Sequence, residues 1–252
     1  MTFAVAADAY DRFMGRYSTQ LAAPFADFAG VHDGMHVVDV GCGPGALTRV
    51  LVARLGPPAV AAADPSETFV AAARERHPRV DVRRASAEGL PFADGEFDGA
   101  LAQLVVSFMA DPVAGIREMG RVTRQGGAVA ACVWDIGNAS PLTPFWHAGR
   151  EVEPRAEGEA ARPGTRAGDL ESFFVQAGLA EVEEAALTLA VTHTAFDEWW
   201  EPFTLGVGPA GQFVAGLDAD RRAAVRDRAR TLLGDGPFEL PLRAWVARGR
   251  VS

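Results

Sequence analysis

The run Val-Val-Asp-Val-Gly-Cys-Gly-Pro-Gly-Ala-Leu-Thr at Val37–Thr48 constrains this chain more than any other stretch. Val37, Val38 and Val40 form the short apolar run that a buried parallel strand needs. Gly41, Gly43 and Gly45 follow at alternate positions, and glycine permits both positive φ and close approach of a ligand to the backbone. Pro44 gives up a donor that a helix start leaves unpaired. The spacing predicts a strand, a glycine turn and a helix N-terminus, with free N–H groups facing whatever sits over the turn.

Two ligand classes use such a turn. Gly41-x-Gly43-x-x-Ala46 satisfies the dinucleotide-binding pattern, with a small residue where helix and strand pack closely. Asp39, two residues before the first glycine, changes the balance, because a carboxylate there suits a cationic group better than a pyrophosphate. Asp39-x-Gly41-x-Gly43-x-Gly45 resembles the nucleotide-binding signature of class I S-adenosylmethionine-dependent methyltransferases. The resemblance implies an α/β fold: a doubly wound, seven-stranded, mostly parallel Rossmann-like sheet with an antiparallel C-terminal edge hairpin and a helical lid. It also implies S-adenosyl-L-methionine as cofactor, with Asp39 near the methionyl amino group and the turn residues Gly41, Cys42 and Gly43 against the cofactor.

Further along, Ala59–Ala63 reads as a second strand delivering Asp64, about 23 residues beyond Gly41. An acid at that place hydrogen-bonds ribose hydroxyls in dinucleotide and methyltransferase sites alike, and Pro65 follows it into the next helix. The loop Ala85-Ser-Ala-Glu-Gly-Leu-Pro-Phe92 resembles the family's adenine-contacting loop. Ser86 stands where an acid is usual, Ala87 offers its N–H, and Glu88 is a second acceptor. Phe97-Asp98 opens a fourth strand that ends near Gln103, where ligands collect in an open α/β sheet. Asp111-Pro112 opens a helix through Val122, and Arg121 with Gly126-Gly127 leads to a fifth strand, Ala128–Trp134. Upstream, the leader Tyr10–Tyr17 is similar to the segment that closes over the cofactor, which makes Tyr10 and Arg16 candidate contacts, Arg16 to the methionyl carboxylate. Ser18 reads as the N-cap of the helix that follows.

One methyltransferase domain is expected over residues 1–252, with an N-terminal helical cap at 1–35 and a cofactor-binding core at 36–135. Residues 137–168 and 195–216 are too long for ordinary sheet connections and read as lid or substrate-facing insertions. His147 and His193, one assigned to each insertion, are the weak candidates for removing an acceptor proton; no residue otherwise stands out as catalytic. Trp146, Trp199, Trp200 and Phe203 supply the lid with aromatic surface. Asp169 reads as a helix cap, and Asp218–Leu233 as a helix with a solvated arginine face.

Composition excludes several chemistries. All 24 basic residues are arginine, so no Schiff-base lysine, P-loop lysine or lysine base exists. Cys42 and Cys132 are too few for a disulfide framework or a cysteine zinc site, and the five histidines lack metal-ligand spacing, so no metal is expected. A net charge of −9 argues against nucleic-acid binding. No apolar run is long enough to span a bilayer, and Asp8, Asp11 and Arg12 do not fit a signal peptide, so a cytoplasmic location away from membranes is expected. The second glycine pattern, Gly206–Gly211, lacks a buried strand before it. A small-molecule acceptor is expected, because the Asn/Asp-Pro-Pro-Tyr run of many amino-methylating enzymes is absent. Two alternatives stay open at this level: a nicotinamide-dependent oxidoreductase on a related fold, and a non-catalytic S-adenosylmethionine-binding protein. Oligomeric state is open as well.

Overall fold

The computed structural model describes residues 7–156 and 158–252; residues 1–6 of the expected N-terminal cap lie outside them. Seven strands build one sheet: β1 Val37–Val40, β2 Val60–Asp64, β3 Asp81–Arg84, β4 Phe97–Gln103, β5 Thr123–Trp134, β6 Ala180–His193 and β7 Phe238–Arg250. Their order is β3-β2-β1-β4-β5-β7-β6. β1 pairs in parallel with β2 and β4, and β5 continues the parallel set beside β4. β7 runs antiparallel to both β5 and β6, so the antiparallel pair closes that side of the sheet with β6, not the C-terminal strand, at the edge. The strand order reverses between β1 and β4, and that crevice is where open α/β sheets bind ligands.

The helices are α1 Ala7–Tyr10, α2 Arg16–Phe28, α3 Ala46–Leu55, α4 Glu67–Arg76, α5 Pro112–Val122, α6 Thr143–Val152, α7 Asp169–Gln176, α8 Phe196–Trp200, α9 Gly208–Gly216 and α10 Ala219–Leu233. β1 and β2 are buried along their whole length, as strands covered on both faces must be. Alternation splits their side chains: Val37 and Ala62 face the core shared with α2, α3 and the aromatic residues of α6 and α8, while Val38 and Val40 face the core beneath α5 and α7. The fold is therefore doubly wound.

Two expected caps are displaced. Ser18 lies inside α2, because the chain is already helical from Ala7 and passes through a π-type turn, Asp11–Gly15, without breaking. Its hydroxyl donates back to the Gly15 carbonyl at 3.2 Å. Gly168, with φ of 83°, caps α7, and Asp169 is the first helical residue. Asp111 and Asp218 do cap, accepting from Ala114 N and Arg221 N at 3.0 and 2.8 Å.

The two long insertions fold into one helical layer. Phe145 of α6 stacks on Phe203 at 4.4 Å, and Trp199 of α8 meets the same ring edge-on at 4.9 Å. The arginine face of α10 is not simply solvated: Arg226 and Arg230 reach Asp197 at 2.7 and 3.2 Å, and Arg228 reaches Glu151 at 2.5 Å. Partly exposed pairs like these add little stability each, but together they set α10 against α6 and α8. Among the described residues no helix is long and apolar enough to cross a membrane.

Candidate functional site

The glycine turn is closed on itself. Gly41 N and Cys42 N both donate to the Ala63 carbonyl, at 2.7 and 3.0 Å, and Gly45 N donates to Cys42 O at 3.0 Å. Gly43 N donates to Asp64 Oδ2 at 2.9 Å. The expectation of free turn N–H groups is thus corrected: the parallel neighbour β2 uses them to lock the turn onto its own end. Gly41 and Gly43 adopt φ of 70° and 54°, which side chains resist. A Cβ on Gly41 would sit 2.4 Å from Val105 Cγ2, so glycine here lets the segment after β4 press against the turn. That segment is itself strained, since Leu104 has φ of 63°.

Asp64 ties the turn to α4. Its Oδ1 accepts from Ser66 N at 2.8 Å while Oδ2 holds Gly43 N. Burial raises its pKa, and the two N–H groups oppose that rise. Asp39 lies behind the turn and is 1 % exposed. Thr48 Oγ1 donates to its Oδ2 at 2.6 Å, and Oδ1 has no hydrogen-bond partner. Burial pushes Asp39 up to about 7, opposed by the Thr48 bonds. A buried carboxylate with an open oxygen is a place for a cation.

A cavity of about 390 Å³ opens over this turn, within the range of small-molecule sites. Gly41, Gly43, Asp64 and Pro65 line one part; Leu104, Val105, Phe108, Trp134 and Leu142 line another. Of the expected cofactor contacts, Tyr10, Gly41, Gly43, Asp64 and Pro65 are brought together at its wall. Tyr10 meets Phe69 edge-on at 5.1 Å, and burial followed by the Asp64 charge raises its phenol pKa.

The other candidates lie off this wall. Cys42 is buried with its thiol turned to the Gly43 carbonyl. Gln103 is buried, its Nε2 donating to the Ser18 carbonyl at 3.0 Å and its Oε1 unpartnered. Glu88 accepts from Ala110 N at 2.8 Å and so braces the approach to α5. Ala87 is buried and Ser86 exposed. Arg16 faces a second, polar cavity, where it pairs with Glu198 at 2.6 Å and with His193. Neither histidine lines the first cavity: His147 is exposed on α6, and His193 is fully buried against Phe238.

Trp134 and Glu159 are among the lining residues that carried no sequence motif. Trp134 ends β5 with its indole N–H buried and unpartnered. Glu159 comes from the irregular part of the first insertion, a segment without periodicity that could have announced its burial. The described residues contain no group of three or more His, Cys, Asp or Glu placed to hold a metal ion.

Residues 38–131 match the model of a methyltransferase domain. The chain is 33% identical over 144 residues to a malonyl-[acyl-carrier protein] O-methyltransferase of Pectobacterium atrosepticum, covering 57% of this chain and 56% of that protein. It is 31% identical over 181 residues to a protein of Mycolicibacterium smegmatis named a probable S-adenosylmethionine-dependent methyltransferase, covering 66% of this chain and 68% of the relative. The chain belongs to the S-adenosylmethionine-dependent methyltransferase family. The chain spans about half the length or less of several curated relatives it matches, from 56% down to 31%. The fold is shared with a phosphoethanolamine N-methyltransferase of Haemonchus contortus, with a TM-score of 0.61 at 15% identity, over 98% of this chain and 57% of that one.

S-adenosylmethionine is the cofactor of this methyltransferase family, and the residues present fit it. Asp64 offers carboxylate oxygens at the cavity wall, while the unpartnered Asp39 oxygen is buried behind the turn and off that wall, a negative charge beneath the site. A Cβ on Gly43 would meet nothing within 4 Å, which leaves the turn bare for a ligand.

Proposed function

We propose that this chain transfers a methyl group from S-adenosylmethionine to a small-molecule acceptor by in-line displacement. One observation carries the reading: a single cavity joins the glycine turn and Asp64 to apolar residues of β5 and the lid. When bound, the cofactor supplies a methyl group on a positively charged sulfur. Gly41, Gly43, Asp64 and Pro65 would hold it, with Asp39 balancing the charge of its amino group. The chain's remaining task is to align an acceptor and exclude water, which apolar walls such as Val105, Trp134 and Leu142 suit. The malonyl-carrier relative acts by its name on a carrier-linked acyl group.

The test is calorimetric titration with S-adenosylhomocysteine and, separately, NADH, repeated on Asp64→Ala. The expected result is binding of S-adenosylhomocysteine alone, weakened roughly 10-fold or more by loss of a charged hydrogen-bonding group. Binding of NADH alone would overturn the reading in favour of an oxidoreductase. Binding without turnover of any acceptor in a screen would favour a non-catalytic S-adenosylmethionine-binding protein.

A further inference from the structure

Among the described residues, Glu159 is the one acidic side chain of the first insertion at the cavity, and it is 2 % exposed. Its Oε2 accepts from Trp146 Nε1 at 3.3 Å. Its Oε1 has the Arg162 Nε at 3.8 Å, beyond hydrogen-bond distance. Arg162 is not a lining residue: it reaches Glu159 from behind, with Nη1 on the Ser107 carbonyl and its guanidinium over the Phe108 ring at 4.9 Å. The carboxylate is therefore held in place on one oxygen and available on the other.

The charges around the cavity decide what that oxygen can take. Arg84 is the only cationic lining residue among those described. Its guanidinium is engaged by Glu67 at 3.1 Å and by the Pro65 carbonyl at 3.2 Å, next to Asp64. An acceptor carrying a carboxylate would meet Glu159 with no hydrogen between them and would bring an unpaired charge against the apolar walls. A cationic acceptor gains little, because Arg162 already offsets the Glu159 charge. A neutral hydroxyl satisfies Oε1 and brings no charge into the apolar walls.

We infer that Glu159 sets acceptor specificity, its carboxylate accepting a hydrogen bond from a hydroxyl on an otherwise apolar, uncharged molecule and rejecting acceptors with a free carboxylate. This rests on the methyl-transfer reading above. Burial raises the Glu159 pKa, with Arg162 and the Trp146 bond opposing the rise, so the experiment is run at pH 8.

The probes are 2-naphthol, naphthalene and 2-naphthoate, titrated calorimetrically into the full chain saturated with S-adenosylhomocysteine. 2-Naphthol should bind about 10-fold or more tighter than either of the others, the worth of one hydrogen bond to a charged group. Glu159→Leu should erase the advantage over naphthalene. Glu159→Gln, which keeps an acceptor for Trp146 Nε1 and adds an amide donor, should admit 2-naphthoate; it carries the test if the leucine variant does not fold. Equal binding of 2-naphthol and naphthalene to the wild type, absence of 2-naphthol binding, or selectivity unchanged in both variants would overturn the inference. Titration with S-adenosylhomocysteine alone reads the underlying assignment separately. If it binds and the naphthol preference is missing, only the role of Glu159 falls; if it does not bind, the methyl-transfer reading falls first.

Discussion

Arg16 Nη1 lies 2.8 Å from His193 Nδ1, and that contact fixes the state of the ring. A guanidinium can only donate, so Nδ1 is the acceptor and Nε2–H remains to donate to Tyr17 Oη at 3.0 Å. Glu198 completes the cluster, 2.6 Å from Arg16 Nη2. Burial, then the Arg16 charge, lower the His193 pKa from 6.5 to about 4. The folded state thus binds fewer protons at this ring than the unfolded chain between those values, and stability contributed at neutral pH is lost as pH falls from about 6.5 toward 4. His193→Gln, which keeps an acceptor for Arg16, should remove this component. Urea unfolding at pH 7 and pH 4.5 should show wild type losing on the order of 2–3 kcal/mol more than the variant across the interval. Parallel pH dependence in the two proteins would contradict the neutral, buried assignment.

Asp39 has the opposite sign. Its folded pKa, about 7, stands above its ordinary 3.8, so the stability it allows is fully present below pH 3.8 and lost as pH rises through 7. Asp39→Asn keeps an acceptor for Thr48 Oγ1 and removes the charge, while its new amide stays unpartnered at a cost that does not vary with pH. The apo variant should therefore gain on wild type between pH 5 and pH 8, on the order of 2–3 kcal/mol in urea unfolding. Its affinity for S-adenosylhomocysteine should drop at the same time, because the cationic amino group loses its counter-charge. A variant that gains nothing with pH, or that binds as wild type does, would show that the orphaned oxygen is not what the cofactor uses.

What could be read from the chain beforehand divides along physical lines. The β1–turn–α3 unit, Asp64 at the end of β2 and the Asp111 cap follow from local rules of spacing, φ preference and capping, and each stands where the pattern puts it. The residues beyond that unit do not follow such rules. His147 falls opposite the buried Phe145, Trp146, Ala148 and Gly149 of α6, so helical period alone could have removed it from the candidates. His193 shares an inward face with Val191, two residues away in β6, which is a signal for burial. Glu159 had no such signal, and the Arg16–His193 contact joins residues 177 positions apart. The turn N–H groups looked free because nothing local announces that the Ala63 carbonyl takes two of them.

The glycine turn offers a comparison in which one substitution at two neighbouring sites should act on different properties. Alanine at Gly41 places a methyl 2.4 and 2.5 Å from the two Val105 methyls, at φ of 70°. Alanine at Gly43 meets nothing within 4 Å, at φ of 54°. Left-handed backbone costs each about 1–2 kcal/mol, and overpacking adds about 1–3 kcal/mol at Gly41 only. Gly41→Ala should therefore be the less stable variant in urea unfolding, by more than 1 kcal/mol. Gly43→Ala should lose only the backbone share, about 1–2 kcal/mol, and yet bind S-adenosylhomocysteine about 10-fold or more weakly, since its methyl occupies room at the cavity wall that the ligand needs. If both variants lose stability equally and Gly43→Ala binds normally, the bare backbone at position 43 serves the turn's own geometry and not the ligand.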